Sequence, residues 1–298
     1  MNFRVIFSLI VLILCFINKK TNFIPLLTLK LFAYPGNESC QKELGEIYRK
    51  GDKVEIDFQK AFKWYNKSAE SGNLYSQSML GYMYMEGKGC EKNYKKAFKW
   101  YKKAADGGDG YSQGALGYMF EKGKWVEKDY KKALKFYCKG ALKGDGTAQN
   151  NLGRMYLFGK GTEIDYLEAI KWFKKAVKNG SINAYYNLGI MYLKGKGVKK
   201  DKKEAIKCFE QAAEQGNVDS QFELGTIYLK SGQKEYFKEG IKWLKSAAEQ
   251  GDKDAQFNLG VIYLKEEQKD EKKAVKWFKK AARQGHKKAQ FILDSIHE

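Results

Sequence analysis

Residues 148–180 read AQNNLGRMYLFGKGTEIDYLEAIKWFKKAVKNG, and this stretch decides the fold. Ala148, Leu152, Met155 and Tyr156 step by four, three and one, which places them on one face of a helix. Gly153 removes a side chain beside that face, so a neighbouring helix can come close. Gly159-Lys160-Gly161 then breaks the pattern as a turn. Asp165 follows, where a side-chain oxygen can accept hydrogen bonds from the first free amides of a second helix. With Glu168 it has the spacing of a capping box. Ala169, Trp172, Phe173, Ala176 and Val177 form a second apolar stripe, and Gly180 stands where a left-handed cap favours glycine. The stretch predicts two helices joined by a glycine turn.

The same pattern extends in both directions. Leu-Gly recurs at Leu44-Gly45, Leu80-Gly81, Leu116-Gly117, Leu152-Gly153, Leu188-Gly189, Leu224-Gly225 and Leu259-Gly260, with five intervals of 36 residues and one of 35. An aromatic follows each glycine by three residues, from Tyr48 to Tyr263. Asp57, Asn93, Asp129, Asp165, Asp201 and Asp270 mark the second helices, and Asp201 with Glu204 gives another capping box. Ala61, Ala97, Ala133, Ala169 and Ala205 are expected to meet the gap that each Leu-Gly glycine leaves. A single pair of helices cannot bury its stripes, so the pairs must stack. The expected fold is all-α: a right-handed α/α superhelical solenoid of about seven helix-turn-helix repeats. The repeats fall near 40–75, 76–111, 112–147, 148–183, 184–219, 220–254 and 255–288, with a capping helix over 289–298. Ala289, Leu293 and Ile296 carry its stripe. The sixth repeat departs from the pattern, with Ser231 for the loop glycine and Gly240-Ile241 at the small-residue start, so looser or differently curved stacking is expected there.

These residues, above all Ala148-Gln149-Asn150-Asn151-Leu152-Gly153-Arg154-Met155-Tyr156 with Gly159-Lys160-Gly161 and Trp172, resemble the Sel-1-like repeat family, relatives of the tetratricopeptide repeats. The resemblance covers about residues 40–298. It implies an α/α solenoid that acts as a scaffold or adaptor holding protein complexes together, with protein or peptide bound on the concave face.

The first 35 residues read as targeting. Arg4 precedes an uncharged run from Val5 to Ile17 that is short for a bilayer span and suits a signal-peptide core. The expectation is a secreted or periplasmic protein after cleavage, with an uncleaved membrane anchor as the alternative. The solenoid then occupies residues 36–298. Pro25 and Pro35 are the only prolines, so nothing beyond them breaks a helix interior.

The net charge of +20 comes from 55 Lys and Arg against 35 Asp and Glu. Most of the lysines recur at equivalent exposed positions, which suits a solvated face. The alternative is a lysine-rich surface for anionic lipid or polysaccharide. Nucleic acid is disfavoured, because Arg4, Arg49, Arg154 and Arg283 are the only arginines and base readers rely on arginine forks.

Catalytic machinery is not expected. The two histidines, His286 and His297, stand together near one end, and no CxxC pair or phosphate loop is present. No metal or cofactor is expected. Exported cysteine-rich bacterial relatives raise the further option of a β-lactamase-like penicillin-binding protein. Regular cysteine pairs are missing, and Ser112, Ser181 and Ser246 lack a lysine three residues on. Partner contacts are expected at Tyr82, Tyr118, Tyr185 and Tyr186 on the first helices, Tyr82 and Tyr118 forming an aromatic row. Trp125 is a further anchor candidate, because it stands where other repeats have the second loop glycine.

Overall fold

The computed structural model describes residues 26–33, 36–52, 54–265 and 270–297, and every regular element among them is an α-helix. The chain forms two compact units, Met1–Ala148 and Gln149–Glu298. The first holds α1 (Leu26–Ala33), α2 (Glu38–Lys50), α3 (Phe58–Glu70), α4 (Leu74–Glu86), α5 (Tyr94–Asp106), α6 (Gly110–Lys122) and α7 (Tyr130–Leu142). The helix α8 (Gly146–Phe158) begins in it. The second continues with α9 (Tyr166–Lys178), α10 (Ile182–Lys194), α11 (Lys202–Ala213), α12 (Val218–Leu229), α13 (Lys234–Glu249), α14 (Lys253–Lys265), α15 (Glu271–Arg283) and α16 (Lys287–His297). Within each unit successive helices pack on one another, giving the all-α repeat solenoid that the periodicity predicts.

The pairing of helices turns on the Leu-Gly glycine. A Cβ added at Gly81 would fall 2.5 Å from the ring of Tyr101, and one at Gly153 or Gly189 would fall 2.7 or 2.5 Å from Phe173 or Phe209. This corrects the expectation that Ala61, Ala97 and their equivalents fill the gap. The residue one turn further along the second helix lies on the same stripe, and its ring reaches the glycine backbone where an alanine methyl cannot. Tyr65, Tyr101, Tyr137, Phe173, Phe209 and Phe278 are accordingly the largest fully buried side chains. Burying each phenylalanine contributes about 2–3 kcal/mol.

Two hydrogen bonds repeat with the helices. The backbone N–H of each Asp or Asn cap of a second helix donates to the carbonyl of the aromatic in the helix before it: Asp57 to Tyr48 at 2.9 Å, Asn93 to Tyr84 at 2.8 Å, Asp165 to Tyr156 at 3.0 Å. That bond explains why the capping boxes are only half made. Asp165 accepts from the Glu168 amide, but its own N–H is already taken, so the Glu168 carboxylate turns to Lys171 instead, at 2.6 Å. Asp201 and Glu204 behave alike, with Lys207 as the cation. The second bond closes one repeat onto the next. Gln41, Gln77 and Gln113 donate from Nε2 to the carbonyls of Ala33, Ala69 and Ala105, and Gln221 and Gln256 do so to Ala213 and Ala248.

The sixth repeat is close-packed rather than loose. Leu244 replaces the aromatic beneath Gly225, and Gly240 lets the helices approach until a Cβ on it would stand 3.1 Å from the Gly225 carbonyl. In α16, Ala289 and Leu293 are buried as expected, but Ile296 is exposed.

The stretch Leu26–Ala33, read above as part of the leader, is a helix that sets Leu29 and Ala33 against Leu44 of the first repeat. The apolar run Val5 to Ile17 lies outside the described residues. No helix among the described residues is long and apolar enough to cross a membrane.

A charged cluster ties α2 to α3 and α4. Arg49 and Lys50 pair with Glu46, whose carboxylate also accepts from the hydroxyls of Tyr65 and Tyr75. Burial, the largest single influence, acts upward on Glu46, but the two cations and two hydroxyls together outweigh it. They hold the carboxyl well below its ordinary 4.5. A carboxylate depressed in the folded state adds stability that is present above its unfolded value and lost as pH falls through it toward the folded one. The denaturant midpoint of Glu46→Gln is therefore expected to lie below that of the wild type at neutral pH, and the gap to narrow below pH 4.5. A gap that does not change with pH would show that the charge on Glu46 contributes nothing.

Candidate interaction surface

The 36-residue register sorts the first helices into faces. In α4, Tyr75, Met79 and Tyr82 are spaced by four and three, so they share one face, on which Met79 and Tyr82 also pack against the core that holds Leu80 and Met83. In α6 the same positions hold Tyr111, Ala115 and Tyr118. The helices α4 and α6 touch directly, and Ser112 is hydrogen-bonded to Ser78 between them at 3.0 Å. Tyr75, Tyr111 and Tyr118 are 42%, 40% and 40% exposed. Tyr82 is half-buried and accepts a hydrogen bond from Lys88 Nζ at 2.7 Å. The structure thus brings Tyr82 and Tyr118 into equivalent places on neighbouring helices. It adds Tyr75, which with Tyr111, also a candidate from the sequence, forms the second half of the patch. Tyr75 went unread in the sequence, although a step of 36 from Tyr111 reaches it.

Tyr185 and Tyr186 do not join this row. They belong to the second unit and to other registers. Tyr185 takes the place that Gln77 and Gln113 occupy in the ladder of Gln-to-carbonyl bonds. Tyr186 packs on Phe209 with ring centroids 6.0 Å apart, and burial pushes its phenol up to about 12. Beyond α6 the patch positions hold no aromatic residue: Thr147, Asn151 and Arg154 in α8, Asn183, Asn187 and Ile190 in α10, Asp219, Glu223 and Thr226 in α12.

Trp125 lies in the loop between α6 and α7. Among the described residues it alone, glycines aside, has a positive φ, at 68°. Gly89, Gly161 and Gly197 hold the equivalent positions at 71°, 72° and 69°. There a Cβ would run into the preceding second helix: on Gly89 into the Phe58 carbonyl, on Gly197 to within 2.6 Å of the Tyr166 Cβ. With its Cβ, Trp125 must stand off from that helix, and the left-handed backbone costs about 1–2 kcal/mol. Its side chain is 56% exposed, with Lys95 Nζ 5.1 Å from the ring centroid. Lys124 and Lys92 lie over Tyr94 at 5.0 and 5.5 Å, and Lys128 over Tyr130 at 4.8 Å. Desolvation acts upward on the Tyr94 phenol, but hydrogen bonds to Lys92 and Lys124 outweigh it and the net direction is down.

Two serines have SxxK spacing that the sequence reading passed over, Ser39 with Lys42 and Ser231 with Lys234. Ser39 is exposed in the first turn of α2, and Ser231 donates to the Tyr228 carbonyl at 2.7 Å. Neither S-D-N nor K-T-G, which complete that chemistry, occurs in the chain.

The Sel1 repeat family matches residues 39–73, 74–109, 110–145, 146–181, 182–217, 218–252 and 253–286. The chain is a Sel1 repeat protein. Sel1 repeat proteins are in general protein-interaction scaffolds, and the fold is generally non-catalytic. This one is similar to the crystal structure of a protective antigen present in uropathogenic Escherichia coli strains that displays an SLR fold. The two are 37% identical, with a TM-score of 0.68, over 90% of this chain and 58% of the antigen. This Sel1 repeat protein therefore spans somewhat more than half the length of that relative. It is also similar to a Sel1 repeat protein from Oxalobacter formigenes, with 32% identity and a TM-score of 0.68, over 90% of this chain and 79% of that one. An immunity protein from Pseudomonas aeruginosa, 20% identical with a TM-score of 0.50 over 71% of this chain and 82% of its own, shares the fold. Among curated proteins, none matches closely enough to be called a relative.

Proposed function

We propose that this Sel1 repeat protein is an exported, non-catalytic scaffold that holds a protein partner against the tyrosine face of α4 and α6. The observation that carries the reading is a contrast between equivalent positions. Tyr75, Tyr82, Tyr111 and Tyr118 stand on α4 and α6, where α8, α10 and α12 have no aromatic residue but Thr147 and Arg154, Asn183 and Ile190, and Asp219 and Thr226. Tyr75 and Tyr111 rest on the core rings of Tyr65 and Tyr101, with centroids 6.5 and 6.2 Å apart, yet Tyr75, Tyr111 and Tyr118 each keep about 40% of their surface exposed, more than packing between repeats calls for. Interfaces do favour them, because tyrosine offers a large apolar area and a polar rim at low entropic cost. Export is supported by the uncharged run from Val5 to Ile17, and a protective antigen as relative accords with it.

The test compares wild type with Tyr82→Ala/Tyr118→Ala as baits in the native compartment, washed at low and high salt and read by quantitative mass spectrometry. Tyr82 also packs against the cores on both sides of it, so recovery is compared below the thermal midpoints of both baits. The expected result is a defined protein that survives high salt with wild type and falls at least about tenfold with the variant. Equal recovery by both baits overturns the tyrosine face. Recovery of salt-labile anionic material alone would overturn the protein-scaffold reading in favour of a lysine-rich anionic-surface binder.

A further inference from the structure

We propose that Trp125 and the lysines around it form a second docking site, which takes an acidic, extended peptide segment of the partner. This rests on the scaffold reading in that the ligand is a polypeptide, but it uses a different surface from the tyrosine face.

Three observations converge on this loop. First, the backbone there is held in a conformation that the other loops reserve for glycine, and the side chain placed on it is a tryptophan more than half exposed. A large apolar side chain kept on a left-handed backbone and turned to solvent gives the fold nothing that glycine does not. Such outliers point toward function. Second, Lys95 lies over its ring, and Lys92, Lys124 and Lys128, from its own loop and the loop one repeat earlier, lie over Tyr94 and Tyr130. Lys96 and Lys103 also lie over rings, but singly; what distinguishes this loop is that four such lysines come from two neighbouring loops and the start of α5 to one exposed indole. Elsewhere in this unit Lys60, Lys102 and Lys132 pair with Asp57, Asp106 and Asp129. Among the described residues none of the four lysines near Trp125 makes such a pair, although Glu91 and Glu127 lie exposed in the same two loops. An ammonium held by a ring face keeps N–H donors turned outward, ready for carboxylates.

Third, the side chains present discriminate between anionic ligands. No arginine lies between Arg49 and Arg154, so the site has no planar fork for a phosphodiester. Lys95 covers one face of the indole, so the ring is not a platform open on both sides for a base or a sugar. An apolar ring edge bordered by point charges fits an apolar side chain flanked by Asp or Glu.

The experiment uses the full-length protein and a short fluorescein-labelled probe peptide of repeating Glu-Glu-Leu, followed by fluorescence anisotropy, with a Gln-Gln-Leu peptide as control. The expected result is saturable binding that weakens at least about tenfold in Trp125→Gly, several-fold in Lys95→Gln/Lys124→Gln, and not at all in Tyr82→Ala/Tyr118→Ala. Trp125→Gly restores the residue that the other loops use, so its thermal midpoint should be no lower than that of the wild type. That separates lost binding from lost folding. Undiminished binding by Trp125→Gly overturns the proposal. So does Trp125-dependent binding of a heparin fragment or single-stranded oligonucleotide without binding of the peptide, since it assigns the site to another polymer. If the tyrosine double variant alone loses partner while the probe still depends on Trp125, both readings stand. If it retains partner, only the tyrosine face falls.

Discussion

Gly81→Ala is expected to destabilise the protein by about 2–3 kcal/mol, even though alanine in a helix interior is ordinarily favoured over glycine by about 1 kcal/mol. The sign is decided by what the new methyl meets. At Gly81 it would lie 2.5 Å from Tyr101 Cδ1 and 2.6 Å from Cε1. Tyr101 is 2% exposed, so its ring has no open space into which to swing. Helices α4 and α5 must then separate, and the apolar surface between them loses its close contact. Gly144→Ala is the control. Its glycine has φ of 87° and no atom within 4 Å, so only the backbone penalty remains, about 1 kcal/mol. Chemical denaturation followed by circular dichroism checks both. A midpoint raised by Gly81→Ala would show that helix propensity, not ring contact, governs the site.

Phe209→Ala should cost about 3–5 kcal/mol, the range for emptying a fully buried aromatic site. Phe209 has no exposed surface and covers Gly189, which has no side chain to fill the space that its removal leaves. Leu244 shows what a smaller residue requires at this position, since it occurs together with Gly240, which brings its helix closer. Phe209→Leu, with Ala205 left in place, should therefore still lose part of that stability. The loss should also be local, because each helix pair contacts only its neighbours. Hydrogen exchange is expected to rise across α10, α11 and α12 while protection in α3 to α6 stays as it was. Uniform loss of protection would mean that the chain unfolds as one cooperative unit.

The helix pairs were legible in the sequence because their markers are categorical. Leu-Gly, the Asp or Asn cap and the terminal glycine each answer to one backbone requirement, and they recur with almost no drift. What covers each glycine was not legible. Ala97 and Tyr101 lie on one stripe a turn apart, and periodicity cannot say which of two residues on a stripe reaches further. The ladder of Gln77 and its equivalents was hidden for another reason. A polar residue early in a helix looks solvated unless its recurrence at Gln41, Gln77, Gln113, Gln221 and Gln256 is noticed. Tyr185 and Tyr186 were grouped with Tyr82 because they are tyrosines on a first helix. Adjacent residues on a helix point in directions about 100° apart, so two neighbours cannot both belong to one row. Trp125 stood out because it breaks a glycine register, and its backbone angle bears out that reading of its place.

The bond from a glutamine near the start of one repeat to an alanine carbonyl at the end of the one before has a bearing on ancestry. Every junction that uses it offers the same acceptor and asks for the same donor, from Ala33 and Gln41 through Ala105 and Gln113 to Ala248 and Gln256. A duplicated or deleted stretch of one whole period would therefore arrive with a matching end already in place. Copy number in such a protein is open to change by recombination between its own similar segments, and lineages can lengthen or shorten it without redesigning a single seam.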